Sequence, residues 1–520
     1  MPSRESAQAP APGAAHQGVA GGARGSWPVS SLSGPVGRTP RGRCRAARAP
    51  QAGPGLHPQK AAVRRCALIA GLILTLLLPL AASCQPRPTP APTLTPAAAR
   101  VALPPAPTAA PATKAPGPVR LVLWHTLQDG DACSQALGEM CERFHAQYPL
   151  ITVEPVYVGG YDDLYRKGVA AIQAGNPPDL ATAYETHVAE FMREGGVAPL
   201  EPYVNDPEIG LSAADRADIF PGHWQAGLFP EFGGRMLSLP FAKSAVGLYY
   251  NLTLLKAAGI KEPPQSWADF ELACKAVSKS DVKGLAWWER SSTFDGFLYS
   301  RGARPLNEDQ SEAIFNGPEG VEALELLLRL TRAGHARGLE DGRDARSLFA
   351  AGKIAFTFDS TGDLSAYAQA IKQAGARFEW GCTMMPQSDP ARPRAVLHGA
   401  SLCVFKTSEA RQRAAWQFIR WFTDTAQTAQ WASTSGCMPV RQSAITRLAG
   451  AGWLAEHKLE AGVYSGIAPH GYPVPNVRGA EEIGDHVEAA WTAALSGLKT
   501  PRQALDEAVV RANQALAAKQ

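Results

Sequence analysis

Residues 239–251 read LPFAKSAVGLYYN, and within them Val246, Leu248 and Tyr250 alternate with Ala245, Gly247 and Tyr249. Alternation with a period of two specifies a strand rather than a helix. Pro240 fixes the backbone on entry, and Asn251 is placed to open a helix that Leu254 and Leu255 continue and Gly259 stops. A second helix starts at Ser266, ahead of Trp267, Asp269, Phe270 and Leu272. The same grammar governs residues 119–184. Residues 119–124 form a buried strand; Leu137, Met140, Cys141, Phe144 and Tyr148 recur at helical spacing; residues 151–158 form a second strand. A helix through Tyr161, Leu164, Ala170 and Ile172 then ends near Gly175, before a third strand closing at Tyr184 and Glu185. Strands alternating with helices imply parallel pairing and an α/β fold.

Later segments continue the pattern. Strands are expected at 284–288 and 398–405, a helix at 318–330, and a helix turning at Gly352 into a strand over 348–358. Trp416, Phe418, Ile419, Trp421 and Phe422 mark another helix. The last helix has Thr500 as its cap, Pro501 in its first turn and Gln503 three residues past the cap.

The overall charge of +4 conceals an uneven distribution, because residues 1–65 alone carry +9 and leave −5 for the rest. No stripe of basic residues interleaved with aromatics follows, so nucleic acid is not an expected partner. Residues 1–62 read either as a disordered extension or as sequence upstream of a natural start at or near Val63. Arg64 and Arg65 precede an apolar run from Cys66 to Leu80 and small residues up to Cys84, so 63–84 is expected to be an export signal of lipoprotein type with Cys84 lipidated. Residues 85–118 hold eleven prolines in 34 positions and read as an extended tether, with a reach of roughly 100 Å.

The wording of the central stretch carries more than its periodicity. Pro-Phe, a small polar residue, Leu-Tyr-Tyr-Asn, Leu-Lys-Ala-Ala-Gly and Pro-Pro-x-Ser-Trp-x-Asp-Phe follow one another over residues 240–270. With Trp124-His125, the Gly159-Gly160-Tyr161 turn, Gly175-Asn176-Pro177-Pro178, residues 381–386, His398-Gly399-Ala400-Ser401 and Lys499-Thr500-Pro501, this order resembles the extracellular solute-binding proteins of ABC importers. The resemblance is to the maltose-binding-like group, nearest its glycerol-3-phosphate-binding members. It implies a two-lobed periplasmic-binding-protein fold of type II, each lobe a mixed sheet flanked by helices, with hinge crossings and an interlobe ligand cleft. Lobe 1 would comprise 119–243 and 387–433, and lobe 2 would comprise 244–386 and 434–520. Residues 239–251, 381–386 and 435–439 would be the crossings. The implied function is capture of a sugar or glycerol-3-phosphate-like solute by lobe closure and its delivery to a membrane permease, by a lipid-anchored, exported monomer.

The resemblance carries over solute contacts to Tyr161, Glu185, Ser244, Trp287 or Trp288, Ser360 with Thr361, Gly399 through its backbone, and Arg478. Glu185 would accept from hydroxyls, while Ser244, Ser360 and Arg478 would take a phosphate. Two departures bear on the phosphate. Cys437 stands where those relatives have a tyrosine, and Arg478 aligns only with two extra residues before Trp491. Thr361, Lys243 and Arg441 are the substitutes at hand.

No phosphate loop, zinc-protease helix, nucleophile elbow or zinc-spaced cysteine pair occurs, so neither a metal nor a cofactor is expected. Glu185 and Asp359, each just past a strand end, leave an alternative open: a secreted carbohydrate-active hydrolase using them as a carboxylate pair. A surface adhesin would instead show a filled interlobe groove. Buried free thiols are expected for the globular cysteines, with a Cys382–Cys403 bond as the other reading.

Overall fold

The computed structural model describes residues 117–518. The extension 1–62, the signal segment with Cys84, and the tether as far as residue 116 lie outside these. The strands are β1 (Val119–His125), β2 (Ile151–Tyr157), β3 (Leu180–Ala183), β4 (Leu228–Phe229), β5 (Arg235–Met236), β6 (Ser238–Asn251), β7 (Lys283–Trp288), β8 (Ala336–Leu339), β9 (Ile354–Ser360), β10 (Trp380–Met384), β11 (Ala395–Val404) and β12 (Gly471–Pro473). β4 and β5 form a small hairpin; the other ten belong to one sheet of order β2-β1-β3-β11-β6-β9-β7-β8, with β10 on β6 and β12 on β11.

The stretch that reads most plainly as a strand is the member both halves share. From Ser238 to Ala245, β6 pairs antiparallel with β11. From Val246 to Tyr250 it pairs with β9, and from Gly247 to Asn251 with β10. β1, β2 and β3 run parallel on one side, as do β7, β8 and β9 on the other.

Each half has its own apolar core. One gathers Leu121, Leu123, Leu137, Met140 and Phe144 with Trp416, Phe418 and Ile419. The other gathers Phe270, Phe297, Leu324, Phe356 and Phe358 with Trp491 and Leu505. A third cluster lies under the crossing, where Tyr249, Phe349 and Tyr367 join Leu397, Met438 and Tyr464. This is the two-lobed architecture of periplasmic binding proteins.

Local signals are met where they were read. Asn251 Oδ1 accepts from Leu254 N at 3.0 Å, Ser266 Oγ from Asp269 N at 3.1 Å, and Thr500 and Gln503 exchange both bonds of a capping box at 3.2 Å. One reading is corrected. Residues 381–386 do not return the chain at once to the first half, because β10 first adds to the far half of β6, with Gly381 beneath the Tyr250 ring. The crossing comes after β10, in the approach to β11. Cys382 and Cys403 are both buried free thiols.

Gly399 marks a kink in β11. Its φ is +109°, an added Cβ would lie 2.0 Å from the Ala242 carbonyl oxygen, and the pairing register with β6 shifts between Ala400 and Ser401. The left-handed backbone alone costs a non-glycine residue about 1–3 kcal/mol, and the carbonyl contact adds to it. Gly399→Ala is therefore expected to lower the urea midpoint of unfolding by at least that free energy without changing the slope, measured by circular dichroism.

Candidate functional site

A cavity of about 740 Å³ opens where the shared strand changes partners. Ser244, Ala245 and Val246 of β6 form its floor, and the ends of β3, β7 and β9 converge on it with Glu185, Trp288 and Ser360. This is the strand-end position that ligands take in open α/β sheets. The groove is not filled by side chains, as an adhesin without a small ligand would require.

Glu185 opens the helix Glu185–Arg193 directly after β3. Its Oε1 accepts from Lys243 Nζ at 2.5 Å and from Ser401 Oγ at 2.6 Å, while Lys243 also donates to the Gly399 carbonyl at 2.7 Å. Lys243 is 1% exposed. A buried ammonium is tolerable only with partners of this quality, and removing one member typically costs about 3–5 kcal/mol. Lys243 thus serves Glu185 and Gly399 beneath the cavity wall.

Asp359, Ser360 and Thr361 follow one another with separate tasks. Asp359 Oδ2 accepts from Tyr367 Oη at 2.9 Å and Oδ1 from Ser360 N at 2.8 Å. Burial, with the charge of Asp363 behind it, pushes its carboxyl up to about 6. Ser360 lines the cavity. Thr361 is fully buried and turns its Oγ1 to accept from Ala245 N at 2.9 Å, fixing the floor instead of facing the opening.

Five of the residues carried over by resemblance line the cavity: Glu185, Ser244, Trp288, Ser360 and Gly399. Strand alternation separates the tryptophans. Trp287 packs into the core with Trp491 at 5.8 Å, and Trp288 faces the opening with the Arg290 guanidinium 4.5 Å from its ring centre. Tyr161 stands behind the wall, stacked at 4.0 Å on Tyr184, which lines it. Arg478 is exposed at the turn Gly479 makes into the helix Ala480–Leu495 and does not line the cavity. Arg441 is buried elsewhere, with Asp215 at 3.0 Å.

Several lining residues escaped the sequence reading. Arg290 and Asp295 come from the segment after β7 and the helix Ser291–Ser300. Glu481, Asp485 and Glu488 come from the helix Ala480–Leu495, where their spacing places them on one face; that spacing was the available signal. Glu481 reaches His187 on the opposite wall at 3.2 Å. His398 is neutral at physiological pH, since burial, then Lys243 and Arg290, push its imidazole down to about 4. His398 Nε2 and Trp288 Nε1 are buried without a protein partner. Among the described residues, no group of three or more His, Cys, Asp or Glu could hold a metal ion.

The cleft between two lobes joined by a shared strand defines a receptor for a small solute. The chain belongs to the bacterial extracellular solute-binding proteins, whose family model matches residues 139–459. It is 26% identical over 419 residues to the sn-glycerol-3-phosphate-binding periplasmic protein UgpB of Escherichia coli K12, covering 76% of this chain and 91% of that one. Among solved structures it is similar to the cyclic α-maltosyl-1,6-maltose binding protein of Arthrobacter globiformis, at 23% identity and a TM-score of 0.68, covering 77% of this chain and 99% of that one. It is likewise similar to UgpB of Mycobacterium tuberculosis, solved with glycerophosphocholine, at 22% identity and a TM-score of 0.65, covering 78% and 100%. The family comprises binding proteins and supports the receptor reading over the hydrolase reading of Glu185 and Asp359.

Asp295 carries a cost that can be measured. Burial alone pushes its carboxyl up to about 7. A raised acid binds more protons folded than unfolded, so stability falls as pH rises from about 4 toward 7. Asp295→Asn is expected to melt about 2 °C or more above the wild type at pH 8, with the difference closing by pH 4. Scanning calorimetry across that range checks both the sign and the window.

Proposed function

We propose that this protein is the receptor of an ABC importer, capturing a sugar or glycerol-3-phosphate-like solute in the 740 Å³ cavity and presenting it to the permease. The observation that carries this reading is the cavity's position on the shared strand, between walls contributed by both halves of the sheet. A solute touching both walls favours their approach and so shifts the protein toward its closed state. Residues 119–243 with 387–433, and 244–386 with 434–520, are the bodies that close. Glu185, held by Lys243 and Ser401, accepts from solute hydroxyls; Ser244 and Ser360 supply hydroxyls of their own; Trp288 offers a ring face to the CH face of a sugar. Tyr161, Trp287 and Thr361 act as supports, and Arg478 is a rim residue.

The exported form is proposed to be a monomer, lipidated at Cys84 and held clear of the membrane by the proline-rich tether. A polyol or sugar framework for the solute is supported by the UgpB relatives, one named for sn-glycerol-3-phosphate and one solved with glycerophosphocholine, and by the cyclic maltosyl-maltose receptor.

Native mass spectrometry of the purified protein, followed by tryptophan fluorescence titration with sugars, polyols and their phosphates, tests this. A retained or titrating solute is expected, and no ligand-dependent change across the series counts against a solute receptor. Trp288→Ala should weaken binding by about tenfold or more, equivalent to about 1.4 kcal/mol, with little change in melting temperature.

A further inference from the structure

The cavity's charges are unevenly matched. Seven carboxyl groups line it, Asp295 and Asp359 among them holding their protons to higher pH than the rest, and a single guanidinium, that of Arg290, opposes them. Four of the seven are engaged by the protein. Glu185 is tied to Lys243, Asp359 to Tyr367, Glu481 meets His187, and Glu488 accepts from Ser291 N at 2.8 Å. Asp162, Asp485 and Asp295 have no hydrogen bond or ion pair among the described residues, but Asp162 and Asp485 are exposed, whereas Asp295, on the helix Ser291–Ser300, is partly buried where it lines the cavity.

Arg290 does not serve it. The guanidinium lies over Trp288 and acts electrostatically on Tyr184 and His398, whereas the shift at Asp295 has burial as its sole cause. The cavity therefore has a cationic edge at Trp288 and a separate, uncompensated carboxyl at Asp295. A desolvated carboxylate is costly until an opposite charge or a donor meets it. An excess of carboxylates also sets a negative potential in a cleft, which draws in cations and repels a dianionic phosphate. Pro305, Leu306, Val474 and Val477 add apolar surface to the same cavity, which suits carbon substituents around a nitrogen.

We propose that the solute carries an ammonium group, protonated or quaternary, and that Asp295 receives it. The inference rests on the solute-receptor reading and narrows it: the framework is that of a sugar or polyol, and the distinguishing substituent is a cation.

Calorimetric titration of the full globular receptor with three matched pairs tests it: glucosamine with glucose, glycerophosphocholine with the same phosphodiester carrying a 3,3-dimethylbutyl group in place of choline, and choline with its uncharged carbon isostere. The expected result is that the ammonium member of at least one pair binds about tenfold or more tighter than its partner, and that Asp295→Asn removes most of that preference. This variant is nearly isosteric and, by the pH argument above, no less stable than the wild type, so loss of preference is not loss of fold. Equal affinities within every pair, tighter binding of the member without the ammonium, or a preference that survives Asp295→Asn would each overturn the inference and leave the receptor reading standing. Absence of binding by all six compounds and by maltose would overturn the receptor reading, and this inference with it.

Discussion

The buried ammonium of Lys243 holds the molecule together at the point where its shared strand changes partners. It joins β6, which carries it, to Glu185 after β3 and to Gly399 of β11. Met438 closes over the same residue, donating its backbone N–H to the Lys243 carbonyl at 2.7 Å. A well-packed apolar substitute for such an ion pair is often equally stable, so stability alone does not explain its presence. Geometry does. One oxygen of Glu185 is consumed by Lys243 and Ser401, which fixes the carboxylate's orientation at the cavity wall. The kink at Gly399 brings its carbonyl within reach of the same ammonium. Charge, backbone conformation and cavity shape are thus set together by a few atoms.

Around that point the protein separates rigid support from open recognition. Asp359, Thr361, Tyr367 and Tyr249 bond to one another's neighbourhood, Tyr249 Oη donating to the Ser360 carbonyl at 2.6 Å. They hold Ser360 and Ser244 in place with little freedom. Across the cavity, Asp295, His398 Nε2 and Trp288 Nε1 have no protein partner. At the cavity wall such groups are open to a solute that can bond to them. The acidic face of the helix Ala480–Leu495 supplies the remaining wall, and the chain's +4 overall charge gives no hint of it.

Much of the fold was legible because each element is signalled locally. Alternation in β6, the caps at Asn251, Ser266 and Thr500, and the apolar spacing of Leu137, Met140 and Phe144 are written in adjacent residues. Which half of β6 receives β10 depends on pairing partners more than a hundred residues apart, and the wording of residues 381–386 could not decide it. The site divides similarly. Glu185, Ser244, Ser360 and Gly399 lie at ends or kinks of strands that the sequence marks. Asp295 sits inside a helix with no motif around it, and its importance comes from what fails to surround it in three dimensions. Arg478 illustrates the converse, since an arginine at an aligned position stands exposed and outside the cavity lining.

The third apolar cluster has a consequence for how the protein comes apart. Tyr249, Phe349 and Tyr367 of one half share it with Leu397, Met438 and Tyr464, which reach it from chain segments lying on either side of the later crossings. Neither half can be excised without exposing this cluster, and neither is continuous in sequence. The receptor is therefore best regarded as one cooperative folding unit with a bend in it, and not as two modules joined by a linker. A protease or a destabilising change acting on one half would propagate through the shared strand to the other, so that loss of half the binding wall means loss of the folded chain.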